Sequence, residues 1–283
     1  RWVRTARAGN YDLIIDLQCN DRTRLLLSAL LLSGCRIPWR IGNRPGFPYN
    51  ISHPKLPGST HVFQRMRASL LAAGIPAATQ RPVLHGSDAQ RKRAFAILDD
   101  SGLTNARFAI FLPGSHAAGL TKRWGVRNYR QLAVLLEGVG LNKIVLLGGA
   151  DEIEECAAIA EGDSGHVVNL CGKTQLLELP PIFERAALIV ANDTGTAHLA
   201  AASNQRMIVI CGPTDPRRVK PVGNGVIAIQ ADLSCKNCDR KTCDQHSCMK
   251  CVTPEQVMDL AGAMAGWHLP PASAGDLSSG PRR

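Results

Sequence analysis

The sequence predicts an α/β protein built on doubly wound parallel sheets. From Phe108 onward, short apolar runs alternate with helix-length stretches, the pattern of strands joined by helical crossovers. The runs end in loops rich in Gly, Ser, Thr and Asp, and in such sheets ligands sit at the carboxyl ends of the strands. With 283 residues, 45% of them hydrophobic, the chain is long enough for about two domains with separate cores.

In the front third, Tyr11–Gln18 reads as a buried strand and Asn20-Asp21 as a turn. An apolar helix follows over Thr23–Leu32, and Arg40–Gly42 is a short strand. Residues 43–57, punctuated by Pro and Gly, read as a long loop, a type that often carries function. His61–Ala73 is helical, ended by Gly74 and Pro76. Only about three strands can be found between Tyr11 and Leu84, and after Pro82-Val83-Leu84 a charged helix over Asp88–Ser101 leads into the second domain. Strands are then expected at Phe108–Leu112, Lys143–Leu147, Val167–Leu170, Leu188–Ala191, Met207–Cys211 and Val226–Ile229. Helices are expected at Arg127–Glu137, Asp151–Glu161, Leu176–Arg185 and Thr196–Ala202, and a last one at Pro254–Ala265. The expected division is residues 1–100, residues 101–266 and a disordered tail, 267–283. With so few strands, the first domain is either a small appendage or lacks its beginning, and the opening Arg1-Trp2-Val3-Arg4 looks like that of a fragment or processed product.

The net charge of +10 is uneven: residues 1–100 hold 15 Lys/Arg against 6 Asp/Glu. Such a face attracts an acidic partner: a phosphorylated substrate, an anionic membrane surface or nucleic acid. Aromatic residues make up only 5% and interleave with no basic run, which argues against nucleic acid. No apolar run reaches the roughly 18 residues of a membrane span.

Two strand-end loops hold the chemistry. After Leu188–Ala191 come Asn192-Asp193-Thr194-Gly195 and a helix with His198 in its first turns, a place suited to a phosphate or to a plain capped turn. After Phe108–Leu112 come Pro113-Gly114-Ser115-His116 and then Lys122-Arg123-Trp124, in which a hydroxyl, a close backbone and a cation can clamp a diphosphate. Neither a Gly-x-Gly-x-x-Gly nor a Walker loop stands at these strand ends, which argues against a standard dinucleotide oxidoreductase or P-loop ATPase. Ten cysteines include Cys235, Cys238, Cys243, Cys248 and Cys251. Two Cys-x-x-Cys pairs, Cys235/Cys238 and Cys248/Cys251, resemble a structural zinc site. The spacing between them is short, so reduced loop thiols or a disulfide serve at least as well as metal.

Together these motifs resemble glycosyltransferase family nine, the bacterial lipopolysaccharide heptosyltransferases, and most closely the heptosyltransferase II type. The resemblance rests on Tyr11–Gln18, Arg40-Ile41-Gly42, Pro113-Gly114-Ser115 with Lys122-Arg123-Trp124, and Leu146–Gly149. It continues through Asn169–Thr174, Asn192–Gly195 with His198–Ala202, Gly212–Pro216 and the cysteine segment. It implies a GT-B architecture of two Rossmann-like domains and inverting transfer of L-glycero-D-manno-heptose from ADP-heptose to the lipopolysaccharide inner core. No metal ion is implied. By position, Ser115, His116 and Lys122 would hold the diphosphate, Asp193, Thr194, Gly195 and His198 would complete the donor site, and Lys122 and Asp193 would be catalytic. Thr174 would sit by the base, and either Glu152 or Glu154 by the ribose. Arg22, Arg24, Arg40 and Arg44 would meet the carboxylates and phosphates of a Kdo- or heptose-bearing lipid A acceptor. The implied place is cytoplasmic, peripheral at the inner face of the inner membrane. The family's opening strand and Gly-Asp loop, which supply the presumed catalytic base, have no match here. Asp16, at a strand end, reads as a buried or capping carboxylate instead. A transferase using another sugar nucleotide, or a nucleotide-binding relic without turnover, are the alternatives.

Overall fold

The computed structural model describes residues 1–18, 20–76, 79, 81–115, 117–163 and 165–267. Cys19, His116 and the tail from His268 lie outside them. The chain forms two units: Arg1–His85 with Thr214–Asn224, and Gly86–Pro213 with the chain from Gly225 on.

The first unit opens with a helix the sequence reading did not anticipate, α1 (Trp2–Ala8). Then come β1 (Leu13–Asp16), α2 (Asp21–Leu32), β2 (Trp39–Gly42), β3 (Ile51–Ser52) and α3 (Val62–Ala72). The sheet runs β1-β2-β3, all parallel. Its third strand is therefore Ile51–Ser52, inside the expected loop, while Val83 and Leu84 form no strand. A two-residue strand carries no periodic signal, which is why only the pairing of Ile41 with Ile51 exposes it. Asn20 caps α2 by accepting from Thr23 N at 2.8 Å. Helix α2 turns Leu27 and Leu30 onto Ala6, Ile37 and Tyr49 to form a small core. Gly42 is required there, because a Cβ would stand 2.4 Å from the Tyr49 ring.

The second unit begins with α4 (Asp88–Asp100), β4 (Phe108–Leu112), α5 (Val126–Glu137), β5 (Lys143–Leu146) and α6 (Ile153–Ala160). Next come β6 (Val167–Asn169), α7 (Leu179–Phe183), β7 (Leu188–Asn192), α8 (Gly195–Ala200) and β8 (Met207–Cys211). After α9 (Pro216–Val219), which belongs to the first unit, the chain returns for β9 (Val226–Gln230), α10 (Ser247–Lys250) and α11 (Pro254–Ala265). The sheet order is β6-β5-β4-β7-β8-β9, parallel throughout. Alternation within the strands builds two cores. Ala109, Phe111, Val190 and Ile208 pack against α5, α6 and α11, whereas Phe108, Ile110, Ile189 and Val209 pack against α4, α7 and α8.

The units divide ahead of α4 rather than at residue 100, because Ala94 and Leu98 are buried in the second unit's core with Phe108 and Phe183. Trp267, expected in the tail, packs at the edge of that unit, with the Arg107 guanidinium 5.3 Å from its ring centroid. Among the described residues, no helix is long and apolar enough to cross a membrane.

Candidate active site

In the second unit, β4 and β7 are neighbours, and from them the chain winds outward in opposite directions. In open α/β sheets such a topological switch point is where ligands bind, at the carboxyl ends of the two strands. The two loops singled out in the sequence follow these strands.

Their shared anchor is Asn192, the last residue of β7, which is fully buried. Its amide donates to the carbonyls of Pro113 and Gly114, and its Oδ1 accepts from the Tyr129 hydroxyl at 3.1 Å. Trp124 packs edge-on against Tyr129, with centroids 5.0 Å apart, and donates its indole N–H to Val252 O at 2.7 Å. The Lys122-Arg123-Trp124 run therefore divides its work. Trp124 is fixed in the core, Arg123 turns back into its own loop and Lys122 reaches across to β7's loop.

Lys122 Nζ stands 2.7 Å from Asp193 Oδ2; the lysine side chain is 30% exposed and the carboxylate 5%. An ammonium held on one buried carboxylate keeps further N–H donors for a guest. Arg123 donates through Nε to Ser115 Oγ and through Nη2 to Ser115 O, both at 3.3 Å. Ser115 Oγ itself donates to Gly119 O at 2.9 Å. Ser115 thus shapes the loop from within. Arg123 Nη1 also lies 3.1 Å from Glu155 Oε2, too poorly aligned for a hydrogen bond. Burial pushes the Glu155 carboxyl up to about 6; nearby Arg123 opposes the shift and Glu152 adds to it.

Thr194 caps α8, accepting from Ala197 N at 3.2 Å, and Gly195 begins the helix. A Cβ on Gly195 would meet nothing within 4 Å among the described residues. His198 is exposed on the same short helix. Glu152, after β5, accepts from Gly149 N at 2.5 Å and lies against Gly114 and Gly148, whereas Glu154 is exposed. Thr174, after β6, is half-buried. Along the rim, the expected donor residues follow strand order: Thr174 after β6, Glu152 after β5, Ser115 and Lys122 after β4, and Asp193 to His198 after β7.

The first unit's arginines differ in their engagement. Arg40 donates to Pro48 O at 2.8 Å and Ile37 O at 2.5 Å, and Arg24 to Phe47 O at 2.9 Å, so both brace the 43–50 loop. Arg44 faces Asp21 at 3.2 Å, and Arg22 is exposed. Asp16 accepts from Tyr49 Oη at 2.5 Å and from Gln18 N at 3.1 Å, in keeping with a capping carboxylate. Asn192, Tyr129, Arg123 and Glu155 were not among the expected site residues. Asn192 and Arg123 stood inside the two loop motifs of the sequence, whereas Tyr129 and Glu155 carried no signal.

Residues 1–249 match glycosyltransferase family 9 (heptosyltransferase). The chain is 31% identical over 158 residues to lipooligosaccharide heptosyltransferase 2 of Haemophilus influenzae, covering 53% of this chain and 44% of that protein. It is 28% identical over 231 residues to lipopolysaccharide heptosyltransferase 1 of Escherichia coli, covering 80% and 68%. Among solved structures, the family 9 glycosyl transferase of Veillonella parvula superposes with a TM-score of 0.72 at 21% identity, over 93% of this chain and 76% of that one. The Escherichia coli ADP-heptose heptosyltransferase II superposes with a TM-score of 0.66 at 23% identity, over 93% and 79%. These likenesses bear out the GT-B fold class, with parallel sheets of three and six strands. The chain belongs to glycosyltransferase family 9, the heptosyltransferase family.

Proposed function

We propose that this chain is an inverting glycosyltransferase that moves L-glycero-D-manno-heptose from ADP-heptose to the inner core of lipopolysaccharide. The observation that carries the reading is the Lys122–Asp193 pair at the switch point. In an inverting transfer the acceptor hydroxyl attacks the anomeric carbon from the face opposite the leaving diphosphate. The C–O bond to the diphosphate breaks as the new glycosidic bond forms, and the hydroxyl proton passes to a base. The developing charge is on the departing ADP. An ammonium already pinned in place stabilises that charge with little reorganisation, so Lys122 serves as the cation and no metal ion is needed. Asp193 orients it. Thr174 faces the base, Glu152 the ribose, and Ser115 and His116 flank the diphosphate, with Thr194, Gly195 and His198 closing the sugar end. The rim order supports this reading, since an extended nucleotide laid from β6 to β7 crosses roughly three strand spacings of about 4.8 Å.

The acceptor is a Kdo- or heptose-bearing lipid A. Arg22 and Arg44, exposed on the first unit, are its first contacts, while Arg24 and Arg40 hold the loop between them. The reaction takes place at the cytoplasmic face of the inner membrane, where a soluble donor meets a lipid-anchored acceptor.

Calorimetry with ADP, UDP and GDP tests the donor. Selective ADP binding is expected, weakened by Lys122→Ala roughly tenfold to a hundredfold, the loss of one or two charge-assisted hydrogen bonds. Asp193→Asn should lower transfer of heptose from ADP-heptose more than it lowers ADP affinity. Equal affinity for the three nucleotides would point to another sugar nucleotide. ADP binding without transfer to any inner-core acceptor would leave a nucleotide-binding relic.

A further inference from the structure

Residues 231–246 run between β9 and α10 without a helix or strand. The stretch is polar: Leu233 is its one large apolar side chain, among Lys236, Asn237, Asp239, Arg240, Lys241, Asp244 and Gln245. A loop this long cannot be held by burial of its own side chains. Its backbone is nevertheless sharply shaped, with left-handed φ of +61° at Asn237, +52° at Asp239 and +51° at His246. Non-glycine residues adopt this region at a cost and persist there when the surroundings over-determine them.

Cysteines converge where the loop folds back. A cavity of about 190 Å³ is lined by Cys235, Cys238, Cys243 and Cys248, with Thr121 and His246. Cys248 is buried and the other three are exposed. Cys251, which the sequence pattern pairs with Cys248, is exposed and is not among the lining residues. The backbone N–H of His246 donates to Cys243 Sγ, 3.4 Å away. His246 Nε2 is engaged with Thr121 O at 2.6 Å, and Thr121 Oγ1 donates to Arg240 O at 3.0 Å. The loop is thereby stitched to the residue beside Lys122.

We propose that Cys235, Cys238, Cys243 and Cys248 bind one thiophilic divalent cation, Zn²⁺ being the commonest of that class, in a structural site that ties the 231–250 loop to the Thr121–Lys122 segment. The donor set is the four thiolates of a closed tetrahedral centre, with no position left for substrate. Binding takes up one cation and releases the four thiol protons to solvent. The resulting centre is net negative, and Lys236, Arg240, Lys241 and Lys250 supply the offsetting charge. Among the described residues no three His, Cys, Asp or Glu groups already stand in metal-holding geometry. Uptake therefore draws the exposed thiols in toward Cys248. The ligand set differs from the two Cys-x-x-Cys pairs of the sequence: Cys243 replaces Cys251.

The test uses the full chain, reduced and stripped of metal, titrated with Co²⁺ alone and then with Zn²⁺. One Co²⁺ per chain is expected, with thiolate-to-cobalt charge-transfer and tetrahedral d–d bands that Zn²⁺ bleaches. Cys243→Ser should weaken Co²⁺ binding by at least roughly tenfold, the loss that even an outer-shell change brings, and should remove the four-thiolate spectrum. Cys251→Ser should keep both. Both positions are exposed, so each variant is expected to fold, and far-UV circular dichroism checks this. Absence of cobalt bands in the wild type overturns the site. So does loss in Cys251→Ser with retention in Cys243→Ser, or a native disulfide whose reduced thiols take up no Co²⁺. No nucleotide enters the measurement, so its failure is distinct from failure of the donor assignment.

Discussion

Gly195 is a glycine that nothing among the described residues requires. Its φ lies outside the left-handed region, and a Cβ would meet nothing within 4 Å among the described residues. The remaining use for a glycine is close approach of a guest to the backbone. Gly195→Ala should therefore leave the melting temperature unchanged or raise stability by up to about 0.5–1 kcal/mol. ADP affinity should still fall by tenfold or more. Unchanged affinity in a well-folded variant would remove Gly195 from the donor site. Glu155 offers a second test at this scale. Its folded carboxyl titrates at about 6 against a reference of 4.5, with burial as the main cause. Below 4.5 it is protonated whether the chain is folded or not. As pH rises through 6 the unfolded chain ionises it more readily, and the folded state loses at most about 2 kcal/mol. Glu155→Gln should flatten the stability curve between these pH values, read by denaturant titration at a series of pH. An unaltered slope would place the carboxyl's titration elsewhere. Tyr129→Phe, which leaves the buried Asn192 Oδ1 without its hydroxyl partner, should cost about 1–3 kcal/mol.

At the scale of elements, α4 shows how burial overrides composition. Its charged sequence reads as an approach to the second domain, yet Ala94 and Leu98 are fully buried against β4 and α7. Leu98→Ala should destabilise the second unit by about 2–5 kcal/mol. The helix also carries a complete capping box, Ser87 with Gln90. Ser87→Ala should cost about 1 kcal/mol, measured by chemical denaturation. A cost near zero for Leu98→Ala would mean that α4 is not part of that core. The loops after β4 and β7 behave as one element, because Asn192 joins them beneath the Lys122–Asp193 pair. No spacing rule relates residue 122 to residue 193. Only the adjacency of β4 and β7 brings the two side chains together.

For the whole molecule, the excess of positive charge in residues 1–100 is a long-range property that does not depend on any one contact. Binding to vesicles rich in anionic lipid should weaken steeply as salt rises, since screening shortens to about 8 Å near 0.15 M. Charge reversal at Arg22 and Arg44 should weaken it further without lowering ADP affinity. Salt-independent binding, or none, would separate the basic face from the membrane. Short apolar runs were enough to specify the six strands of the second sheet, because parallel strands buried on both faces read as near-continuous apolar segments. Loop composition marked Ser115, Lys122 and the Asp193–His198 stretch, since turn and capping chemistry is local. Beyond local reach were α1, the two-residue β3, the placing of α4 and the thiols that share a cavity. Their partners lie far away in sequence: Ile51 needs Ile41, Leu98 needs Phe183, and Cys243 reaches the cavity of Cys248 through a loop closed by Thr121. The sequence by itself determined the fold class and the family, and it marked the two loops that meet at the switch point. The tertiary structure decided which residues act as pairs, because strand order and packing, which no local pattern encodes, set those distances.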